Sequence, residues 1–439
     1  MKEKIKIGVV CLGRKTFDYL EAQKIYKQKI EDLKEIENVS FEFIPDMVIE
    51  VNEAKNAALE LLKKNIDAVI VISGTFHLGH LVLEINKIIN KPIMLWGWNE
   101  LPYNGGKIRL NSVCGVNLNA SNLYKSGNRE YYVSLGEKID EAWIDAIRIK
   151  KALKTKHVGI IGYRAHGFFN VGIDDLSSYR ELGILVDHYE LENLFNISVE
   201  EDSVRRNEKD LKRVFDVSGI TEFQLNKVAQ LIEKLRIFIK KNDLDALAIR
   251  CWPEFAGTFG ISPCAAMSYL QSEDYILGCE GDLDGVFSMI AHKAIGAETP
   301  FLADFSQVDL KNNFALLWHC GVAPCNLTDG KCTCSLDTYF AGGKGVTADF
   351  VMKDGEFSVC RLDSVNGKYR VFLEHGRAVP MEKELRGTYM KAIFDKPLED
   401  VLNSVIYNGI AHHISVSYGE YIKPFEILAR INDWEIIRG

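Results

Sequence analysis

Residues 68–97 read AVIVISGTFHLGHLVLEINKIINKPIMLWG. The run 68–73 (AVIVIS) is apolar and β-branched, the pattern of a strand buried on both faces. A helical stretch over 78–90 follows, and then a second apolar run, 92–97 (PIMLWG). Strand, helix and strand at this spacing predict a parallel, doubly wound sheet.

The same alternation extends outward. Upstream, 4–12 (KIKIGVVCL) predicts a first strand, 16–35 a helix, 41–45 a short strand and 53–64 (EAKNAALELLKK) an amphipathic helix. Downstream, a charged helix near 136–155 leads into a second start, the strand 157–163 (HVGIIGY). Strands at 183–188, 246–250 and 275–279 then alternate with helices at 222–241 and 284–296. After 298 the texture changes to short β runs at 314–318, 345–352, 357–362, 369–374 and 411–418, with a closing helix near 420–430. The expected fold class is α/β: two doubly wound parallel-sheet domains, 1–154 and 155–297, followed by a mainly β C-terminal domain, 298–439. A chain of 439 residues exceeds what one hydrophobic core supports, which agrees with several domains.

Composition narrows the class. Hydrophobic residues make up 47% and charged residues 26%, which fits a globular chain without long disorder. The formal net charge of -8 gives no general attraction to nucleic acid or to an anionic membrane. The first residues, MKEKIKIGVVCLG, place lysines before an apolar run, but Arg14 and Lys15 end that run and no cleavage site follows. The segment reads as a strand, and a cytoplasmic location is expected. No stretch approaches the ~18–20 apolar residues of a membrane span. The ten cysteines are therefore expected to be reduced. Cys320, Cys325, Cys332 and Cys334 are close in sequence, but C-x4-C-x6-C-x-C matches no common zinc pattern, so ordinary thiols are expected. The first strand is followed by Gly13 without G-x-G-x-x-G, which argues against nucleotide binding there.

Ligand-type residues concentrate at four places: Glu280 in 279–282 (CEGD), Asp304 in 301–305 (FLADF), the pair His412-His413, and His319 in 317–320 (LWHC). Acids just past strands stand where α/β sheets build ligand sites. Two carboxylates and an imidazole suit a divalent cation such as Mn²⁺, with open positions for substrate oxygens. The plainer readings are a helix-capping acid and a packed histidine. The residues alone leave both readings open.

Residues 279–285 (CEGDLDG), 301–305 (FLADF), 317–324 (LWHCGVAP) and 412–419 (HHISVSYG) resemble the motifs of the L-fucose isomerase/L-arabinose isomerase superfamily, and most closely its shorter fucose-isomerase-like members. The resemblance is specific from about residue 248 onward and architectural before it. It implies a Mn²⁺-type or other divalent ion on Glu280, Asp304 and His413, with Glu280 and Asp304 as the acid/base pair. The arabinose-isomerase branch adds a histidine ligand at the place of His319; the fucose-isomerase branch does not. His412 is expected to touch substrate.

The implied reaction is aldose–ketose isomerisation through a cis-enediol. A divalent ion polarises the carbonyl, and the acids move the proton between C2 and C1. The resemblance also implies a homo-oligomer, a trimer or hexamer, and a small sugar as partner. Residues 76–80 (FHLGH) would then be a candidate for facing a neighbouring subunit's pocket, beside the plain reading of a strand-to-helix loop.

Trp252 and Glu254 in 251–255 (CWPEF), Trp318, and Arg386 in 386–388 (RGT) are further candidates for the sugar pocket. Arg164 and His166 in 162–170 (GYRAHGFFN) are weaker ones. Packing, surface and turn roles compete at each position. The competing functions are a non-catalytic sugar-binding protein, which would need no acid–acid–histidine set, and a metal-dependent epimerase or hydrolase acting on carbohydrate.

Overall fold

The computed structural model describes residues 2–439. The chain divides into two compact units.

One unit holds residues 2–151 together with 423–434. Its sheet contains β1 (Ile5–Leu12), β2 (Val39–Phe43), β3 (Ala68–Ser73), β4 (Ile93–Gly97) and β5 (Tyr131–Leu135), in the order β2-β1-β3-β4-β5. Every pairing is parallel. The strands β3 and β4 are buried at every position, which is why they read as unbroken apolar runs. Helices Val51–Lys63 and His80–Ile89 cover the sheet with Ala54, Ala58, Leu61, Leu81, Val82 and Ile85. His77, from the segment considered for a neighbour's pocket, points inward instead. It is fully buried, with its ring nitrogens within reach of Ser73, Asn119 and the Leu78 carbonyl.

The other unit holds residues 152–422 and 435–439. Its first sheet is parallel, in the order β7-β6-β8-β9, from β6 (His157–Ile161), β7 (Leu185–Tyr189), β8 (Ala246–Ile249) and β9 (Ile276–Gly278). The helix Glu222–Lys241 starts at a capping box in which Thr221 and Gln224 bond each other's backbone. It then buries Leu225, Val228, Leu231, Ile232, Leu235 and Phe238.

The second sheet contains β10 (Phe301–Asp309), β11 (Phe314–His319), β12 (Ser335–Asp337), β13 (Thr347–Val351), β14 (Gly355–Val365), β15 (Lys368–Val379), β16 (Thr388–Phe394), β17 (His413–Tyr418) and β18 (Glu435–Ile437). The ladder β16-β11-β10-β17-β14-β15 closes on itself, because β15 also pairs with β16. Closure leaves those six strands without a free edge. At the closing seam a Cβ on Gly376 would lie 2.4 Å from the Ile393 carbonyl oxygen, so only glycine lets the two strands meet. One apolar cluster, from Ile161 and Leu247 to Phe357 and Val416, joins the parallel sheet to this barrel.

Several elements escape the sequence reading, among them β5, β16 and the helices Ser112–Lys125, Glu201–Val214, Cys264–Ser272 and Leu398–Tyr407. The segment 301–305, expected as the end of an apolar run, is the first half of a nine-residue strand. Its partners β11 and β17 supply the pairing that the local sequence does not announce.

Candidate active site

Glu280 stands in the short turn after β9 with φ 62° and ψ 10°. A left-handed glutamate is sterically costly, and such backbone persists where the surroundings hold it. Two contacts hold it here. The Ala165 N–H donates to the Glu280 carbonyl at 2.8 Å, and Gly281 packs against the loop after β6. Any Cβ on Gly281 would lie 2.4 Å from Tyr163 O and 2.6 Å from Arg164 Cα, at a φ of 74°. Glycine is required there on both counts.

Asp304 on β10 and His413 on β17 are direct cross-strand partners. Glu280 approaches the same point. His413 Nε2 lies 3.4 Å from Glu280 Oε2 and 3.8 Å from Asp304 Oδ1. The ladder of β10 shifts register between Phe305 and Gln307, just beyond the site, as bulges beside functional sites do.

The protonation of His413 follows from its other nitrogen. Nδ1 donates to Asp282 Oδ2 at 2.9 Å. Asp282 is fully buried and bonded twice by the Arg361 guanidinium, at 2.8 and 3.2 Å. Burial pushes the Asp282 carboxyl up, but Arg361 and His413 outweigh this and hold it well below the usual carboxylate range. Arg361 Nη1 also donates to the His413 carbonyl at 2.8 Å, so the same guanidinium fixes backbone and side-chain partner together. With Nδ1 turned to one carboxylate, Nε2 is the ring nitrogen that faces the two further carboxylates.

Such a convergence calls for a proton or a metal cation among the groups. Asp304 Oδ1 and His413 Nε2 are both buried without a hydrogen-bond partner among the described residues. Glu280, His412 and His413 bring one ligand atom each within 4.8 Å of one another. The donor set of two carboxylates and imidazole, with an ionised acid behind the histidine, fits a divalent transition metal.

His412 and His319 flank this centre as donors. The Asn170 amide donates to His412 Nδ1 at 3.0 Å, which leaves His412 Nε2 to donate to Glu280 Oε2 at 3.1 Å. His319 Nδ1 accepts the Cys320 N–H at 2.8 Å. Burial lowers the His319 pKa, but the Cys320 sulfur 3.2 Å from Nδ1 outweighs it and raises the pKa to about 10. Neutral or charged, the ring carries a hydrogen on Nε2, and that atom is buried without a partner among the described residues. His319 and His413 stack at 5.3 Å.

The weaker candidates separate. Trp252 borders the site through Phe168, whose ring meets both Trp252 (5.6 Å) and His412 (5.3 Å). Trp318 is the other cross-strand partner of Asp304, and its indole N–H donates to the Arg386 carbonyl at 2.7 Å. Glu254 pairs with Arg250 at 2.9 Å, and the Arg386 guanidinium pairs with Asp337. His166 is exposed. Arg164 contacts the Tyr163 hydroxyl, lies over the Phe169 ring and has no carboxylate partner among the described residues.

Asp282, Arg361, Asn170 and Phe168 were not singled out as functional from the sequence. Signals existed for the first two only: a second acid two residues after Glu280, and an arginine inside the apolar run 357–362.

Comparison with known proteins agrees with this picture. Residues 8–145 match the family described as fucose/sulfoquinovose isomerase, N-terminal domain, and 318–438 match L-fucose isomerase, C-terminal domain. The chain belongs to the fucose isomerase-like family. It is an aldose–ketose sugar isomerase by that membership. A sulfoquinovose isomerase of Priestia aryabhattai is 28% identical over 439 residues, covering 97% of each chain. Proteins of the same name from Alkalicoccus urumqiensis and Clostridium sp. are 25% and 22% identical, covering 97% and 94% of this chain and 97% and 95% of theirs. A periplasmic sugar-binding protein of Legionella pneumophila aligns at 12% identity over 66% of this chain and 93% of its own, but its TM-score of 0.17 carries no argument. Among the described residues no helix is long and apolar enough to cross a membrane.

Proposed function

We propose that this fucose isomerase-like enzyme is metal-dependent, with a Mn²⁺-type ion held by Glu280, Asp304 and His413, and that it acts on an aldose bearing an anionic group. The observation that carries the metal is the buried His413 Nε2 facing Glu280 and Asp304 without a hydrogen-bond partner among the described residues, with Asp304 Oδ1 equally unpartnered beside it. Such an ion would polarise the sugar carbonyl as a Lewis acid. Glu280 and Asp304 then move the proton between C2 and C1 through a cis-enediol, one as base and the other as acid. His319 Nε2–H donates to a sugar oxygen, and His412, whose Nε2–H holds Glu280, lines the sugar beside the two carboxylates. On this reading His319 binds substrate rather than metal, because its Nε2, the nitrogen that is buried without a partner, keeps a hydrogen whether the ring is neutral or charged.

The anionic substrate class is supported by the names of the relatives and by Arg164. That arginine adjoins Gly281 in the loop beside Glu280, unpaired by any described carboxylate, and a sulfonate is a ligand its guanidinium suits. Cytoplasmic location and assembly as a homo-oligomer, a trimer or hexamer, complete the proposal.

The test is to incubate metal-stripped protein, with and without Mn²⁺, with sulfoquinovose, L-fucose and L-arabinose in D₂O, following ketose formation and C2 deuteration by NMR. Mn²⁺-dependent conversion of sulfoquinovose supports the whole reading. Conversion of the neutral sugars alone removes the anionic class. Deuteration without ketose would make the enzyme an epimerase.

A further inference from the structure

Two buried arginines and a carboxylate stand behind the turn that delivers His412 and His413. Arg361 and Asp363 lie two residues apart on β14 and therefore share one face of it. Arg370 on β15 is the direct cross-strand partner of Asp363. All three are buried. Asp363 Oδ1 accepts from Arg361 Nε at 3.2 Å, and Oδ2 accepts from Arg370 Nε at 2.9 Å and Nη2 at 2.8 Å. The other nitrogens of Arg361 donate to Asp282 and to the His413 carbonyl. Arg370 Nη2 donates as well to the Asn408 carbonyl at 2.6 Å.

The two carbonyls held in this way are the ends of one turn. The helix Leu398–Tyr407 stops at Asn408, Gly409 follows with a φ of 62°, and β17 starts at His413. β10 pairs with β17 as far as His413, but β14 pairs with it only as far as Ser415, opposite Cys360. On that side the Arg361 guanidinium takes the place of the missing ladder bonds. At the other end the Asn408 carbonyl belongs to a helix C-terminus, where a cation is favoured. The charges of Arg361 and Arg370 are balanced by Asp282 and Asp363. Well-packed apolar residues of similar volume often hold such space as stably, so stability alone gives no reason for the network.

We propose that Asp363 and Arg370 are positioning residues for the isomerisation. Their own hydrogen bonds stop at Arg361 and Asn408, so they act through others. Together with Arg361 they clamp the segment 408–413 at both ends and aim His412 and His413 at Glu280 and Asp304. The inference rests on the proposed metal role of His413 for one readout only, Mn²⁺ affinity.

The experiment compares the wild-type full chain with Arg370→Met, Asp363→Asn and the double variant Asp363→Leu/Arg370→Met. Each single change leaves a buried charge short of a partner and lowers stability, whereas the double change puts apolar groups in place of the pair and should restore much of it. Urea unfolding reads this. In the double variant kcat should nevertheless stay about 10–100-fold down with KM within about twofold, and Mn²⁺ affinity should fall by a similar factor. Nitrogen NMR of the histidine rings in the metal-free proteins reads the aim of His412 and His413 without substrate or metal. Their signals should move in the double variant while that of His77 stays. A double variant that regains kcat along with its stability overturns the proposal, as do unmoved signals of His412 and His413. A wild type that binds no Mn²⁺ while the variants show the expected NMR shifts would sink the metal role of His413 and keep the clamp.

Discussion

Asp304 and His413 face each other across adjacent antiparallel strands, and their side chains point to the spot that Glu280 reaches from the turn after β9. Strand register thus fixes two of the three candidate ligands, and a strained turn fixes the third. A one-residue slip of β10 against β17 would send Asp304 to the opposite face. The proposed roles lead to distinct expectations.

Glu280→Gln and Asp304→Asn should each lower kcat by roughly 10²–10⁴-fold, the usual contribution of a positioned acid or base. Steady-state rates with saturating Mn²⁺, beside circular dichroism to confirm folding, measure this. Near-normal turnover in either variant would remove that residue from the acid/base pair.

Asp282→Asn tests the support behind the site. Metal affinity should fall by about 10–100-fold, because His413 loses the carboxylate that fixes its tautomer. The buried Arg361 also loses a paired charge, so stability should drop by about 3–5 kcal/mol. Mn²⁺ titration and urea unfolding report the two effects separately. Unchanged affinity in a folded variant would show that Asp282 only caps the helix Leu283–Ala294, whose Gly285 N–H it accepts.

His319→Phe removes one hydrogen-bond donor aimed at the sugar. We expect kcat/KM to fall by about 10²–10³-fold, as for loss of a single preorganised donor. Mn²⁺ content should stay at the wild-type level. Loss of the metal instead would make His319 a ligand.

Arg164→Met should raise KM for an anionic sugar by roughly 10–100-fold, the worth of a charge-assisted hydrogen bond. A neutral sugar should be handled equally by both forms. Equal penalties on the two sugars would reduce Arg164 to a loop-packing residue.

Acid should destabilise the unit carrying His77. Burial holds its pKa down to about 4 against the ordinary 6.5. The unfolded chain takes up a proton near the ordinary value, whereas the folded chain refuses it until about 4. Stability is therefore complete above the unfolded value and falls as pH drops through this window, by up to about 3 kcal/mol. Urea unfolding at a series of pH values should show a shallower acid limb for His77→Gln. Parallel curves for variant and wild type would refute the assignment.

What the sequence by itself determined were features carried by contiguous residues. The runs 68–73 and 92–97 are apolar at every position because both faces of β3 and β4 are buried, so periodicity alone identified the parallel sheets. The helix over 222–241 announced both its start and its buried face, and the isomerase motifs around Glu280, Asp304 and His412–His413 were recognisable as short strings. Tertiary structure decided the rest. Closure of the barrel depends on β15 meeting β16, a pairing that Gly376 permits but does not specify. The Asp282–Arg361 pair joins residues 79 positions apart, and its charges are tolerable in the interior only because they meet there. The cysteines show the contrast directly: Cys279 meets Cys251 and Cys264 meets Cys320, although 28 and 56 positions separate the partners. Local patterning encodes which face of an element is buried. Which side chains then meet depends on register and topology, and those are set by the energy of the whole packed core.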